Sequence, residues 1–335
     1  MDKKQLLPNR HPQTDLFICD IADVPVKDDM ATMEHPVYSL STKPDTNIRR
    51  YEHGKAWVEI TPSVKGLATI SDKDILIFAT SQIMAAKNTG QPYGKEVSFT
   101  ARDFLIFSNR MTNGQAYKGL VDALTRLKGT IITTNIETGN QSITKGFGLI
   151  DSFTIRKEKL DGRILEWGIT LSDWSLNAIE SNEVLTISPD YFRLRKPLEK
   201  RLYEVARKHC GTQRNWKINI ELLQKKCGSN SPKRNFRAML KKIVEHQHLP
   251  DYNVEIHESM VVFTTAADGI SKRPEVTIPP LKTDTYEHFK ERYHGHDPYS
   301  IEDIWRNWAK GKTVPKNADA AFLAFAESHI ERQLL

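Results

Sequence analysis

The sequence predicts an α+β fold: two tandem winged helix-turn-helix domains related by internal duplication, plus a small helical C-terminal region. Three observations predict it. First, apolar positions recur at a nearly constant offset. Ile75, Ala79 and Ile83 match Leu194, Leu198 and Leu202, 119 residues on. Phe104 and Leu105 match Leu222 and Leu223, 118 on, and Tyr117, Leu120, Val121 and Leu124 match Phe236, Met239, Leu240 and Ile243, again 119 on. A shared helical period aligns any two helices, but not three helices in order at one offset. Second, each pass runs helix, short strand, helix, turn, helix, hairpin, the order of a winged helix. Third, charge is localised. The chain carries 48 Lys and Arg against 42 Asp and Glu, yet residues 193–242 hold sixteen basic and three acidic residues, a local charge of +13. The remainder sums to −7. Such a field attracts a polyanion. A solvated basic face without a partner is the plainer alternative.

The elements follow in order. Residues 1–35 are polar and carry Pro8, Pro12 and Pro25, which reads as a flexible N-terminal arm. The first winged-helix domain spans 36–182. It opens with a strand at 56–61, then a helix started by Ser71 with Asp74 three residues on, as in a capping box. A short strand at 96–99 and a short helix at 101–108 precede a turn at 110–114. The next helix carries Tyr117, Leu120, Val121, Leu124 and Leu127 on one face. Segments 131–136 and 141–150 flank Glu137-Thr138-Gly139-Asn140 as a hairpin that would be the wing, and a second hairpin turns at Asp161-Gly162. The second domain spans 183–266. Tyr191, Leu194, Leu198, Leu202 and Val205 mark a long helix, and Ser231 caps a later one with Pro232 at its first position. Pro274, Pro279 and Pro280 mark a linker at 267–284, and 285–335 reads as two or three helices, one carrying Ala321, Phe322, Phe325 and Ile330.

Several function classes are disfavoured. The longest apolar runs fall far short of the ~20 residues of a bilayer span, and no signal peptide follows Met1, so a soluble cytoplasmic protein without membrane contact is expected. Cys19, Cys210 and Cys227 are odd in number and widely spaced, which fits buried thiols rather than a disulfide framework or a zinc site. No Gly-rich phosphate loop is present. A nicking nuclease needs two histidines flanking an apolar residue plus a tyrosine. His246-Gln247-His248 and His294-Gly295-His296, with Tyr299 nearby, lack the apolar residue. No catalytic residue, metal or cofactor is implied.

The strongest element is the helix over 231–245. Phe236, Met239, Leu240, Ile243 and Val244 fall at i, i+3, i+4, i+7 and i+8 and define a buried face. Arg234, Asn235, Ala238, Lys241 and Lys242 project opposite, with Arg237 on the flank. A helix in the major groove needs this division: Arg and Asn make two-pronged contacts to guanine and adenine. Lys233, Lys241 and Lys242 suit phosphates, which fix register without reading sequence. The matching helix of the first unit offers Gln115, Lys118 and Arg126, with Asp122 opposing phosphate, and Lys145 lies near the first hairpin.

Trp57-Val58-Glu59-Ile60-Thr61-Pro62-Ser63, Gly66-Leu67-Ala68-Thr69-Ile70-Ser71-Asp72-Lys73-Asp74-Ile75-Leu76-Ile77, Gly114-Gln115-Ala116-Tyr117-Lys118-Gly119-Leu120, Ala123-Leu124-Thr125-Arg126-Leu127-Lys128-Gly129-Thr130 and Thr133-Thr134-Asn135-Ile136 resemble the replication initiator protein A family of bacterial plasmids. The resemblance covers about residues 36–266. It implies a tandem winged-helix protein that binds repeated sequences of a replication origin in double-stranded DNA and promotes melting of an adjacent A·T-rich segment. It further implies recruitment of the host initiator and helicase machinery, and autoregulation, often as a homodimer. A transcriptional repressor with the same domains needs the same recognition chemistry. A rolling-circle nicking enzyme fits the residues poorly.

Overall fold

The structure is a computed structural model. It describes residues 6–11, 25–53, 56–88, 90–135, 137–138, 141–142, 145–157, 164–181, 183–211, 213–266, 281–293, 298–309 and 317–331. The chain forms two compact units, 1–266 and 267–335.

The first unit begins with β1 (Lys27–Asp29) and α1 (Met30–Glu34). β1 pairs antiparallel with a strand at Val184–Thr186. Leu6, Val26 and Met33 are buried in a core they share with the second half of the unit. The Leu7 and Arg193 backbones are also paired, and the Asn109 side chain accepts from the Arg10 N–H at 2.8 Å and donates to the Pro8 carbonyl at 3.1 Å. The expected flexible arm is therefore docked over 6–11 and 25–35, because a few apolar residues among its prolines find burial. Residues 12–24 lie outside the described residues.

β2 (Arg49–His53) and β3 (Ala56–Thr61) lead to α2 (Lys73–Asn88). The capping box sits two residues before the expected one: the Thr69 N–H donates to Asp72 at 2.8 Å, and the Asp72 N–H to Thr69 Oγ1 at 3.2 Å. β4 (Glu96–Phe99), α3 (Ala101–Phe107) and α4 (Gly114–Gly129) follow. Then come β5 (Ile131–Thr134), β6 (Glu137–Thr138), β7 (Gln141–Ser142), β8 (Lys145–Gly148), β9 (Ile150–Lys157) and β10 (Ile164–Leu171). Here the expected wing is corrected. β5 and β8 do pair, but within a four-stranded sheet of order β2-β3-β5-β8. Buried Ile132 continues the apolar face of Val58 and Ile60, so β5 is an interior strand rather than a wing. The strand ahead of α3 takes its partner from the next hairpin, in order β4-β10-β9, with Trp167 against Phe99 and Ile169 against Val97. The turn residues Gly139, Asn140, Asp161 and Gly162 lie outside the described residues.

After α5 (Asp173–Glu180) and β11 (Val184–Thr186), the long helix expected from Tyr191 is divided. A 3-10 turn occupies Pro189–Arg193, and α6 (Pro197–His209) starts at Pro197. Proline disfavours helical geometry in the residue before it, and Lys196 is extended. β12 (Asn215–Asn219), α7 (Ile220–Cys227), α8 (Lys233–His246), β13 (Tyr252–His257) and β14 (Met260–Thr265) complete the unit, with sheet order β12-β14-β13. Thr100 and Asn219 cap α3 and α7, and left-handed Asn109 and Gly228 end them, at φ 53° and 66°. The two turns have different supports. Around the second, a Cβ on Gly228 would lie 2.7 Å from Pro36 Cβ and 3.1 Å from Tyr51 Oη, so glycine is required by both φ and space.

The second unit contains α9 (Thr283–Arg292), α10 (Pro298–Ala309) and α11 (Ala318–Glu331) among its described residues. Phe289, Trp305 and Phe322 centre a core of its own. No helix among the described residues is long and apolar enough to cross a membrane.

Candidate nucleic-acid interface

α7 and α8 form a helix-turn-helix whose turn is closed by Gln224. Its Nε2 donates to the carbonyls of Ser229 and Ser231, the latter at 2.6 Å. Ser231 does not cap α8. Pro232 takes the N-cap position, and its carbonyl receives the N–H groups of Asn235 and Phe236 at 2.9 and 3.0 Å. The outcome for α8 is the expected division of faces. Phe236, Leu240 and Ile243 are buried, and Met239 and Val244 pack against the same core. Lys233, Arg234, Asn235, Arg237, Ala238, Lys241 and Lys242 are exposed.

The side chains of Arg234, Asn235, Lys241 and Lys242 have no partner among the described residues. Lys233 is paired with Glu221 at 2.7 Å, both well exposed. Arg237 donates to the Glu258 carbonyl at 2.6 Å, in the β13–β14 turn. That turn also holds α7, through the Ile220 N–H on the Ser259 carbonyl at 2.8 Å. Arg237 therefore braces helix against hairpin.

α4 occupies the corresponding place after the first turn, capped by Asn113 Oδ1 on the Ala116 N–H at 3.0 Å. Leu120, Ala123, Leu124 and Leu127 are buried. Gln115 and Lys118 are exposed, and Gly119 faces open space. Asp122 and Arg126 are engaged, whereas Lys128 near the end of the helix is exposed. Asp122 is bound by Lys65 at 2.6 Å, and this hydrogen bond lowers its pKa. Arg126 grips Asp72 with two prongs, at 2.7 and 2.8 Å. Lys145 opens β8, and its side chain lies outside the described residues.

The basic window at 193–242 separates into two populations. Ten of its sixteen Lys and Arg are exposed. Five of the other six are drawn into the fold: Lys200 onto Asp74, Arg201 onto Glu204, Lys226 onto Glu34, Arg193 onto Asp190 and Arg207 onto the Thr186 carbonyl. Cys210 and Cys227 are buried, and burial pushes the Cys227 thiol up to about 12, far from a reactive thiolate. His248 is buried with Nε2 3.2 Å from Glu199, an internal contact rather than an open ligand position. His294 and His296 lie outside the described residues.

The model of the replication initiator protein A family matches residues 27–254. The chain belongs to this family. A putative replication protein of Wigglesworthia glossinidia brevipalpis is 39% identical over 273 residues, covering 78% of this chain and 98% of that protein. The crystal structure of domains 2 and 3 of RctB superposes with a TM-score of 0.53 at 12% identity, covering 71% of this chain and 99% of that one. At that identity the likeness is one of fold. Within this initiator family member, the matched residues include α4, α7 and α8, while the unit at 267–335 lies beyond them.

Sequence reasoning missed Lys65, the partner that offsets Asp122, because it lies 57 positions away in a turn. It also read Asp72, Lys73 and Asp74 only as the start of a helix.

Proposed function

We propose that this initiator binds repeated sequences of a replication origin through two tandem winged helix-turn-helix modules derived from one duplicated unit. The single observation that carries the reading is the face of α8, where Arg234, Asn235, Lys241 and Lys242 are exposed and unengaged on a helix whose other face is fixed in the core. Arg234 and Asn235 lie in its first turn, where recognition helices meet base edges. Lys233, Lys241 and Lys242 contact phosphate, and Arg237 holds the hairpin that acts as the second wing. Gln115 and Lys118 of α4 read a second stretch of duplex, roughly one helical turn away. Lys145 is an accessory phosphate contact, and Arg126 anchors α4 rather than touching DNA. What supports the duplication is the shared strand order of the two small sheets and the caps at a common spacing. Binding promotes opening of the adjacent A·T-rich duplex, recruits the host initiator and helicase, and represses the protein's own gene, with a homodimer as the repressing form. The reaction involves no covalent chemistry, and the protein acts in the bacterial cytoplasm.

The test is a plasmid carrying only this gene and its flanking DNA. Autonomous maintenance is expected, with footprints on repeats in the flanking DNA, and both are lost with Arg234→Ala combined with Lys241→Ala. Maintenance unaffected by that pair removes α8 from the reading. Failure to replicate with intact binding favours a repressor.

A further inference from the structure

Asp72, Lys73 and Asp74, at the N-terminus of α2, are 3%, 1% and 2% exposed. Three consecutive charges are thus buried, and each turns to a different part of the 1–266 unit. Asp72 receives the two prongs of Arg126 from α4. Lys73 reaches Asp28 at 2.8 Å and Glu204 of α6 at 3.1 Å. Asp74 accepts from Lys200 of α6 at 2.7 Å, and from Arg110 of the first turn at 2.7 Å. Glu204 is held in turn by Arg201 at 3.0 Å and by the Tyr191 hydroxyl at 2.7 Å. Arg201 also donates to the Lys226 carbonyl at 2.8 Å, near the end of α7. A chain of charge-assisted bonds therefore runs from α4, through the head of α2, to α6 and the helix-turn-helix of α7 and α8.

Net stability does not explain such an arrangement. Buried ion pairs return in attraction about what they lose in desolvation, and apolar residues of the same volume often serve as well. What they supply is direction, because a forked guanidinium and a doubly bonded ammonium accept few geometries. Apolar contacts join the same parts, with Phe107 and Phe192 5.0 Å apart and Ile77 of α2 buried in the second core, but these tolerate sliding.

We propose that Asp72, Lys73 and Asp74 are positioning residues that set the separation and angular register between the two DNA stretches met by α4 and α8. The inference rests on the reading that both helices face DNA. It makes the protein a ruler: one extra base pair between the two stretches displaces them by roughly 3.4 Å, more than the ion network can follow.

The experiment uses the full chain and the duplex it selects from a randomised library, together with versions carrying one or two base pairs inserted between the two protected stretches. The wild-type protein is expected to prefer the selected spacing by about tenfold or more, the scale of a mismatched contact. Asp74→Leu combined with Lys200→Met removes the buried pair together and leaves Arg110, 29% exposed, on the Ser71 carbonyl. It is expected to fold and to retain binding, with the preference among spacings reduced to about threefold or less. Should that variant fail to fold, Asp74→Asn keeps one carbonyl oxygen to accept from Lys200 and Arg110, turns its amide nitrogen against the Lys200 ammonium, and is expected to broaden the spacing profile in the same direction. An unchanged profile in a folded variant overturns the inference and leaves DNA recognition standing, as does a wild-type protein indifferent to spacing. No binding at all, or binding untouched by Arg234→Ala, overturns the underlying reading, and the ruler falls with it.

Discussion

α8 and α4 hold the same place in the two halves and differ in what their charges do. On α8 the outward cations are bare apart from Lys233 and Arg237, whereas on α4 Arg126 and Asp122 are each bound to a residue outside the helix. Local charge density in a sequence reports an outward field only after the internal ties are removed. On that basis α8 is expected to supply most of the electrostatic affinity in the proposed DNA complex. α4 presents Gln115, Lys118 and Gly119, a face with fewer free cations, which in the proposed complex is expected to serve discrimination more than attraction.

The comparison breaks most visibly at Arg126. If its role is internal, Arg126→Ala strands Asp72, whose side chain is 4% exposed, and costs about 2–4 kcal/mol of folding stability by denaturant titration. DNA affinity of the folded protein changes little. A variant with native stability and strongly reduced binding would reverse the assignment and return Arg126 to the DNA face.

Next in size is α8 itself. Arg234→Ala is expected to cost ~1–3 kcal/mol of specific binding, about a 5- to 150-fold loss, seen by fluorescence anisotropy at fixed salt. Lys241→Ala acts differently. It weakens binding to all sequences and reduces the slope of log affinity against log salt by about one. Equal losses on specific and unrelated duplexes for Arg234→Ala would make it a phosphate contact.

Much of this was legible in the sequence, and the failures have physical causes. The apolar stripes of α4 and α8 were readable because a helix repeats its core contacts every three or four residues. The sheet partners were not. The alternation in 131–134 fits a wing and an interior strand equally, and only the buried faces of Val58 and Ile60 decide between them. The helix start at Pro197 was available from the restriction proline imposes on Lys196, but the apolar spacing of Leu194 and Leu198 masked it. The docked arm was hidden because its burial is carried by isolated residues such as Leu6 and Met33, which have no period. The partners of Asp122, Arg126 and Lys200 lie 57, 54 and 126 positions away, beyond any local pattern.

A smaller effect concerns how the second turn is braced. Glu34 sits 2.9 Å from His209 and is bound by Lys226 of α7, and these bonds hold its pKa well below the ordinary 4.5. A carboxylate whose folded pKa is depressed contributes stability that is complete above its unfolded pKa and is lost as pH falls towards the folded one. Glu34→Gln is therefore expected to lower the thermal midpoint at pH 7. The gap from wild type should narrow progressively below about pH 4.5, the onset of protonation in the unfolded chain. The first turn is braced by Asn109 and Arg110 instead, so this titration should leave DNA contacts of α4 unaltered. A gap that is constant from pH 7 to the acid limb would mean that Glu34 acts through shape rather than charge.

The smallest effect tests α4 most directly. Lys65 offsets Asp122, and both side chains are about half exposed, so the pair itself is worth ~0–1 kcal/mol of stability. Asp122→Asn therefore leaves the fold intact, releases Lys65, and removes the one negative charge on the outward face. If that face lies against phosphate, affinity should rise by a few-fold at low salt. The gain should disappear near 1 M salt, where the screening length falls to about 3 Å. Lys65→Ala, which leaves Asp122 unopposed, should weaken binding by a similar factor under the same low-salt conditions. Opposite and salt-sensitive changes in these two variants would place α4 on the duplex. Identical binding by both would leave α8 as the sole reader and remove the need for a fixed distance between two helices.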